Sequence, residues 1–135
     1  MDVMHSLQGL GSFLAYFAGA LAAEAVFIAI YMGVTPHHEM RLIRDGNTAA
    51  AVSLGGTLLG FTLPLASIIA HSVSFFDFLI WSAVALIVQI VVFLLVSFAL
   101  GGVPRRIAEG NMAAGTTLAT ASLAIGVINA ACMTY

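Results

Sequence analysis

Lysine is absent from this chain, and charge of either sign is scarce: four arginines, six acidic residues and a formal net charge of −2 are spread over 135 residues. Charged residues make up 7% of the sequence, against roughly 25% in an ordinary soluble domain, which is too few to coat a water-soluble surface. The same poverty excludes a basic field able to hold a nucleic-acid backbone, so no nucleic-acid partner is expected. Cysteine is almost missing: Cys132 stands alone, which excludes a disulfide framework or a cysteine-based metal site within one chain. No serine or cysteine nucleophile with a placed base, no paired carboxylates at one depth and no phosphate-cradling glycine loop can be found. Soluble-type catalysis and a bound cofactor or metal are therefore not expected.

What is there is apolar. Hydrophobic residues form 61% of the chain, and four runs near 11–33, 48–70, 78–100 and 112–133 are long enough to cross a bilayer core, for which about 20 apolar residues are needed. The sequence therefore predicts an all-α integral membrane protein, a single domain over 1–135. Its first ten residues lack the basic start and small-residue cleavage pattern of a signal peptide, which predicts that the first span is retained and that the chain begins near Met1. Arg41, Arg44, Arg105 and Arg106 fall in the two connections after spans one and three, while the other side has no basic residue. By the positive-inside bias these turns face the cytoplasm and both termini lie outside. Tyr31 near the inner boundary and Phe75, Phe76, Trp81 and Tyr135 towards the outer one fit interfacial aromatic belts.

The chain repeats itself. Asp45-Gly46-Asn47-Thr48-Ala49-Ala50 recurs as Glu109-Gly110-Asn111-Met112-Ala113-Ala114, each copy after a proline-marked turn (Pro36, Pro104) with two arginines. Repeat one covers about 11–70 and repeat two about 78–133. Because each unit crosses twice, the two should stand in parallel orientation about an axis along the membrane normal. Glycine suits the turn, and asparagine caps the helix that follows, with an acid favourably near its positive end. An anion site at the two helix starts is the alternative reading, which the acidic residues oppose.

These motifs, Gly46-Asn47 with Ala49-Ala50, Gly110-Asn111 with Ala113-Ala114, Gln89 in the third span and the closing Gly126-Val127-Ile128-Asn129-Ala130, resemble the YjfL-like bacterial inner-membrane family, a domain of unknown function. The resemblance runs from about Leu14 to Met133. It implies a small four-span inner-membrane protein, sometimes encoded beside polyamine-ligase-like and phage-shock-like proteins, and supplies no reaction or catalytic residue.

Polar residues inside the spans are the functional candidates. Glu24 lies twelve residues before Pro36, roughly 18 Å into the first helix and close to the bilayer midplane. A carboxylate there costs several kcal/mol unless it is protonated, paired or wet, which marks it as a functional position. Counting the same depth brings up Gln89 on span three, Thr57 and Gly60 on span two, and Thr120 and Ser122 on span four as its expected partners. Ser53, Thr57, Gly60, Pro64, Ser67 and His71 share one helix face of span two; Gly115, Ala119, Ser122, Gly126, Asn129 and Met133 share one of span four. Such stripes serve either close helix packing or a polar path. Pro64 can bend its span. His37, His38 and Glu39 read as a solvated polar turn rather than a metal site, and His71 and Asp77 as markers of the outer boundary, with a pH-sensing histidine as the sharper alternative.

Two functions follow. One is an oligomeric channel or transporter for protons, cations or polyamines, with Glu24, Gln89, Thr57, Thr120 and Ser122 on its path. The other is a scaffold or envelope-stress subunit whose arginine turns dock a cytoplasmic protein or anionic lipid. Besides the lipid bilayer, the expected partner in either case is a second copy of the chain, a two-fold dimer by default.

Overall fold

The computed structural model describes residues 3–34 and 39–133, so Pro36, His37, His38 and Tyr135 lie outside the described residues. Among the described residues six helices follow one another: α1 (Val3–Val34), α2 (Glu39–Arg44), α3 (Thr48–His71), α4 (Phe75–Leu100), α5 (Val103–Ala108) and α6 (Met112–Cys132). No strand occurs among the described residues. The four long helices, α1, α3, α4 and α6, are each long and apolar enough to span a membrane. Helix α1 begins at Val3, well before the predicted residue 11, and no proline interrupts the first ten positions. At 32 residues it measures about 48 Å, longer than a hydrocarbon core of about 30 Å. The two connections read as plain turns each contain a six-residue helix, α2 and α5. Pro104 sits in the first turn of α5, where its missing amide proton costs nothing.

The two arginine-bearing turns fold alike. Gly46 (φ 85°) and Gly110 (φ 80°) adopt the left-handed conformation that L side chains avoid. The Asn47 Oδ1 then accepts the Ala50 amide at 3.0 Å, and the Asn111 Oδ1 accepts the Ala114 amide at 3.2 Å. Each asparagine thus satisfies an amide that would otherwise be orphaned at a helix start, which matters most beside lipid.

Helices α3 and α6 form the centre, and glycine lets them touch. A Cβ built on Gly126 would lie 2.2 Å from the Gly60 carbonyl oxygen, one on Gly60 2.4 Å from the Ser122 oxygen, and one on Gly56 2.3 Å from the Ala119 Cβ. Lower down, a Cβ on Gly115 would stand 2.7 Å from the Ala49 oxygen. These contacts advance in the same sense along both helices. The two sequence stripes therefore face each other: Ser53, Thr57, Gly60 and Pro64 are buried against Gly115, Ala119, Ser122, Gly126 and Asn129. Helix α3 runs unbroken past Pro64. Helix α4 adds the face Phe78, Ser82, Ala85, Gln89 and Phe93, spaced at fours and threes.

Helix α1 is the least embedded element: 6% of its spanning window is buried, against 44% for α3. Near the chain termini it is held by Tyr16, edge-on to Phe75 and Phe78 at 5.8 and 5.5 Å. Further along it is held through Phe27 and Tyr31. Replacing Gly126 with valine, which drives atoms into the Gly60 backbone, is expected to cost at least about 1–3 kcal/mol of stability. Gly55→Ala, whose Cβ meets nothing within 4 Å, should be neutral or stabilising by about 0.5–1 kcal/mol. Thermal unfolding followed by circular dichroism in detergent separates the two.

Candidate functional site

Glu24, Phe27 and Tyr31 occupy one face of α1 at i, i+3 and i+7, and that face meets α3 in antiparallel register. At the arginine-bearing end, the Tyr31 hydroxyl and the Ser53 hydroxyl hydrogen-bond at 2.8 Å, both side chains fully buried. In the middle, the Phe27 and Phe61 rings stack with centroids 4.8 Å apart and planes 8° from parallel. Beyond them the Thr62 hydroxyl donates to Glu24 Oε1. The Leu58 carbonyl also stands 2.8 Å from the Thr62 hydroxyl, which has one proton to give. Glu24 Oε2 has no hydrogen-bond partner among the described residues. The carboxyl group borders an apolar groove of about 260 Å³ lined by Phe17, Ala20, Leu21, Leu65, Ala66 and Ile69.

The other predicted partners lie elsewhere. Gln89 is buried at the junction of α3, α4 and α6, where its Oε1 would stand 3.3 Å from a Cβ on Gly60, and neither of its amide atoms is hydrogen-bonded. Ser122 is buried at the same junction. Thr57 is buried between the junction and Tyr31, with its hydroxyl facing the Ser53 and Leu54 carbonyls at 2.9 and 3.0 Å. Thr120 is on the exposed face of α6, in a groove with Thr116, Thr117, Ala121 and Ala124, away from Glu24. So the structure brings Thr57, Gln89 and Ser122 into one interior region and pairs Glu24 with Thr62 instead. Counting depth from Pro36 and Asn47 assumed that those residues are level. Tyr31 and Ser53 stand five and six residues from those references and keep level, but Glu24 and Thr62 stand twelve and fifteen away, so at Glu24 the count is off by three residues, nearly one helical turn.

Two residues that the sequence placed at the boundary are interior. Tyr31, at the arginine-bearing end, is fully buried in a cluster against which Leu42 and Ile43 of α2 pack. Glu39 is not solvated: it is fully buried at the start of α2, and the Tyr31 hydroxyl meets it and Thr57. The signal was present, since Glu39, Leu42 and Ile43 at i, i+3 and i+4 form an inward face. His71 ends α3 and Asp77 stands in the first turn of α4: His71 Nδ1 lies 2.8 Å from the Ser67 carbonyl, and the Asp77 amide donates to Ser74 Oγ at 3.1 Å. Among the described residues no three of His, Cys, Asp and Glu gather as a metal site would need.

Residues 4–133 match the family described as Domain of Unknown Function (DUF350). The chain belongs to the DUF350 family. It is 42% identical over 132 residues to the UPF0719 inner membrane protein YjfL of Escherichia coli K12, covering 98% of this chain and all of that protein. The YjfL protein of E. coli O157:H7 matches equally. No solved structure matches. A multi-pass location in the inner membrane follows for this DUF350 protein from that relative and the four apolar helices.

In this DUF350 chain the two capping motifs differ in one respect. Asn47 Nδ2 also donates to the Ile107 and Ala108 carbonyls of α5, at 2.9 and 3.2 Å, tying one arginine turn to the other. Asn111 is exposed. All four arginines are exposed, and Arg105 Nε pairs with Glu109 Oε1 at 3.2 Å. Asn111→Ala is therefore expected to cost about 1 kcal/mol, the value of a cap, and Asn47→Ala about twice that because two carbonyls lose their donor as well. Chemical or thermal unfolding of the two variants side by side tests the order.

Proposed function

We propose that this protein is a homo-oligomeric conduit for protons or small cations across the inner membrane, with Glu24 as its intramembrane binding group. The observation that carries the reading is the Glu24 carboxyl group, one oxygen on Thr62, the other unpartnered, beside a groove between α1 and α3. A purely packed interface needs no acid, and an intramembrane acid is expensive. The contact also suits two protonation states: an ionised Glu24 accepts the Thr62 proton, whereas a neutral one can donate to Thr62 while Thr62 donates to Leu58. A group that changes state in place is what a conduit requires. Nothing in this reading calls for enzymatic chemistry.

The chain is a single domain of two tandem helix–turn–helix copies in parallel orientation; the matching glycine and asparagine geometry of its two turns supports this. The arginine turns face the cytoplasm and both termini the periplasm, by the positive-inside bias. The close contact of α3 and α6 leaves no pore between them, which favours a conduit completed by a second copy, a dimer by default. The exposed hydroxyls of Thr116, Thr117 and Thr120 on α6 give a second copy polar groups to bond in lipid. The scaffold reading draws its support from the four exposed arginines at one end, a surface for a cytoplasmic partner or anionic lipid.

Purified protein in liposomes should pass protons or a small cation under an imposed potential, and Glu24→Gln should lower that flux about tenfold or more without lowering yield. Equal flux through both contradicts the role given to Glu24, and none above empty liposomes contradicts conduction.

A further inference from the structure

We propose that the junction of α3, α4 and α6 is an internal water site, in which Gln89, Asn129 and Ser82 hold an ordered row of water molecules that ties α4 to the central pair. Gly60 and Thr62, two residues apart on α3, face opposite ways, so this junction lies across α3 from Glu24. The inference is independent of conduction.

Four side-chain atoms carry the argument. Gln89 Oε1 and Nε2, Asn129 Nδ2 and Ser82 Oγ are enclosed and have no hydrogen-bond partner among the described residues. Their side chains lie deep in the protein: Gln89 is 2% exposed, Ser82 6% and Asn129 8%. Polar groups buried in this way cost free energy that apolar residues of the same size would not. Packing alone would be served better by methionine or leucine at residue 89.

The groups lie along one interior row. Gln89 Oε1 is 3.3 Å from the position of a Cβ on Gly60, and the Ser122 carbonyl oxygen is 2.4 Å from the same position. Pro64 adds an acceptor, because it has no amide proton to give the Gly60 carbonyl four residues earlier. On α6, Asn129 stands nearly one turn beyond Gly126, which itself meets Gly60. On α4, which runs the other way, Ser82 precedes Gln89 by two turns on the same face, about 10 Å. Asn129 and Ser82 therefore both lie from Gln89 towards the chain termini. The inward face of α4 reads Phe78, Ser82, Ala85, Gln89 and Phe93, polar or small in the middle and closed by a buried ring at each end.

The mixture of donors and acceptors decides the occupant. Gln89 Nε2 and Asn129 Nδ2 offer protons, Gln89 Oε1 accepts them, and Ser82 Oγ does both. A metal ion would serve only the oxygens, and an anion only the amide nitrogens. Among the described residues the buried faces of α3, α4 and α6 hold no charged side chain to balance either. Water serves all four atoms, each molecule making about three hydrogen bonds. Bridges of this kind count in lipid, where apolar burial does little to hold one helix on another.

The chain has two glutamines, Gln8 and Gln89, so nitrogen-15 glutamine labelling of the full chain in lipid bilayers gives two side-chain amide signals in solid-state NMR. Gln8 is exposed on α1 and serves as the reference. Magnetisation transferred from water should reach Gln89 as well as Gln8. Gln89→Met, which keeps the volume and removes the amide, should lower the melting temperature by about 3 °C or more, since Asn129 and Ser82 lose the water it held. Transfer to Gln8 alone would overturn the proposal. So would a melting temperature at or above wild type in Gln89→Met, the mark of a dry amide, or a Gln89 signal that moves when sodium is exchanged for choline, the mark of a metal ion. The wild-type spectrum decides the matter even where the variant fails to fold.

Discussion

In a bilayer, burying an apolar side chain against another helix gains little over burying it in lipid, so helices must be held by close contact and by hydrogen bonds. This protein meets that constraint at one place, where the backbones of α3 and α6 approach through Gly56, Gly60, Gly115 and Gly126. Every other arrangement follows from this contact. It fixes α3 as the platform, turns the Ser53–Thr57 face inward and gives α4 a groove into which Ser82 and Gln89 fit. Serine supports it at one more point, since Ser67 Oγ donates to the Ala130 carbonyl at 3.0 Å.

The same constraint leaves α1 outside. It touches the central pair through aromatic rings and side-chain hydrogen bonds. Elements held by few contacts are the ones that move at low cost. The intramembrane acid is carried on this loosely held helix, against the rigid one. A conduit needs both a fixed wall and a movable one, and the backbone contact of α3 with α6, against the side-chain contacts of α1, provides them.

Much of this was legible in the residues. Four spans were evident because hydropathy over some twenty residues is decided by lipid alone, and the facing stripes of α3 and α6 because small residues at steps of three and four have few other uses. Asn47 and Asn111 announced their caps by local chemistry that tertiary packing did not override. What failed depended on angles and levels. Thr120 has the same depth as Ser122, but two residues turn a helix by about 200°, so one faces outward and the other into the bundle. Thr62 was missed because it lies fifteen residues past Asn47, three more than the twelve that separate Glu24 from Pro36. Glu39 was misplaced because it was read by its polarity and not by the face that it shares with Leu42 and Ile43.

Glu24 stands at the centre of the account, which requires that its carboxyl group exchange protons with water from within the membrane. Infrared difference spectra of the protein in lipid bilayers, wild type against Glu24→Gln, measure this directly. The account predicts a Glu24 signal that converts between carboxyl and carboxylate bands as bulk pH is stepped and whose carboxyl band shifts in heavy water. A Glu24 signal unmoved by either change would contradict it.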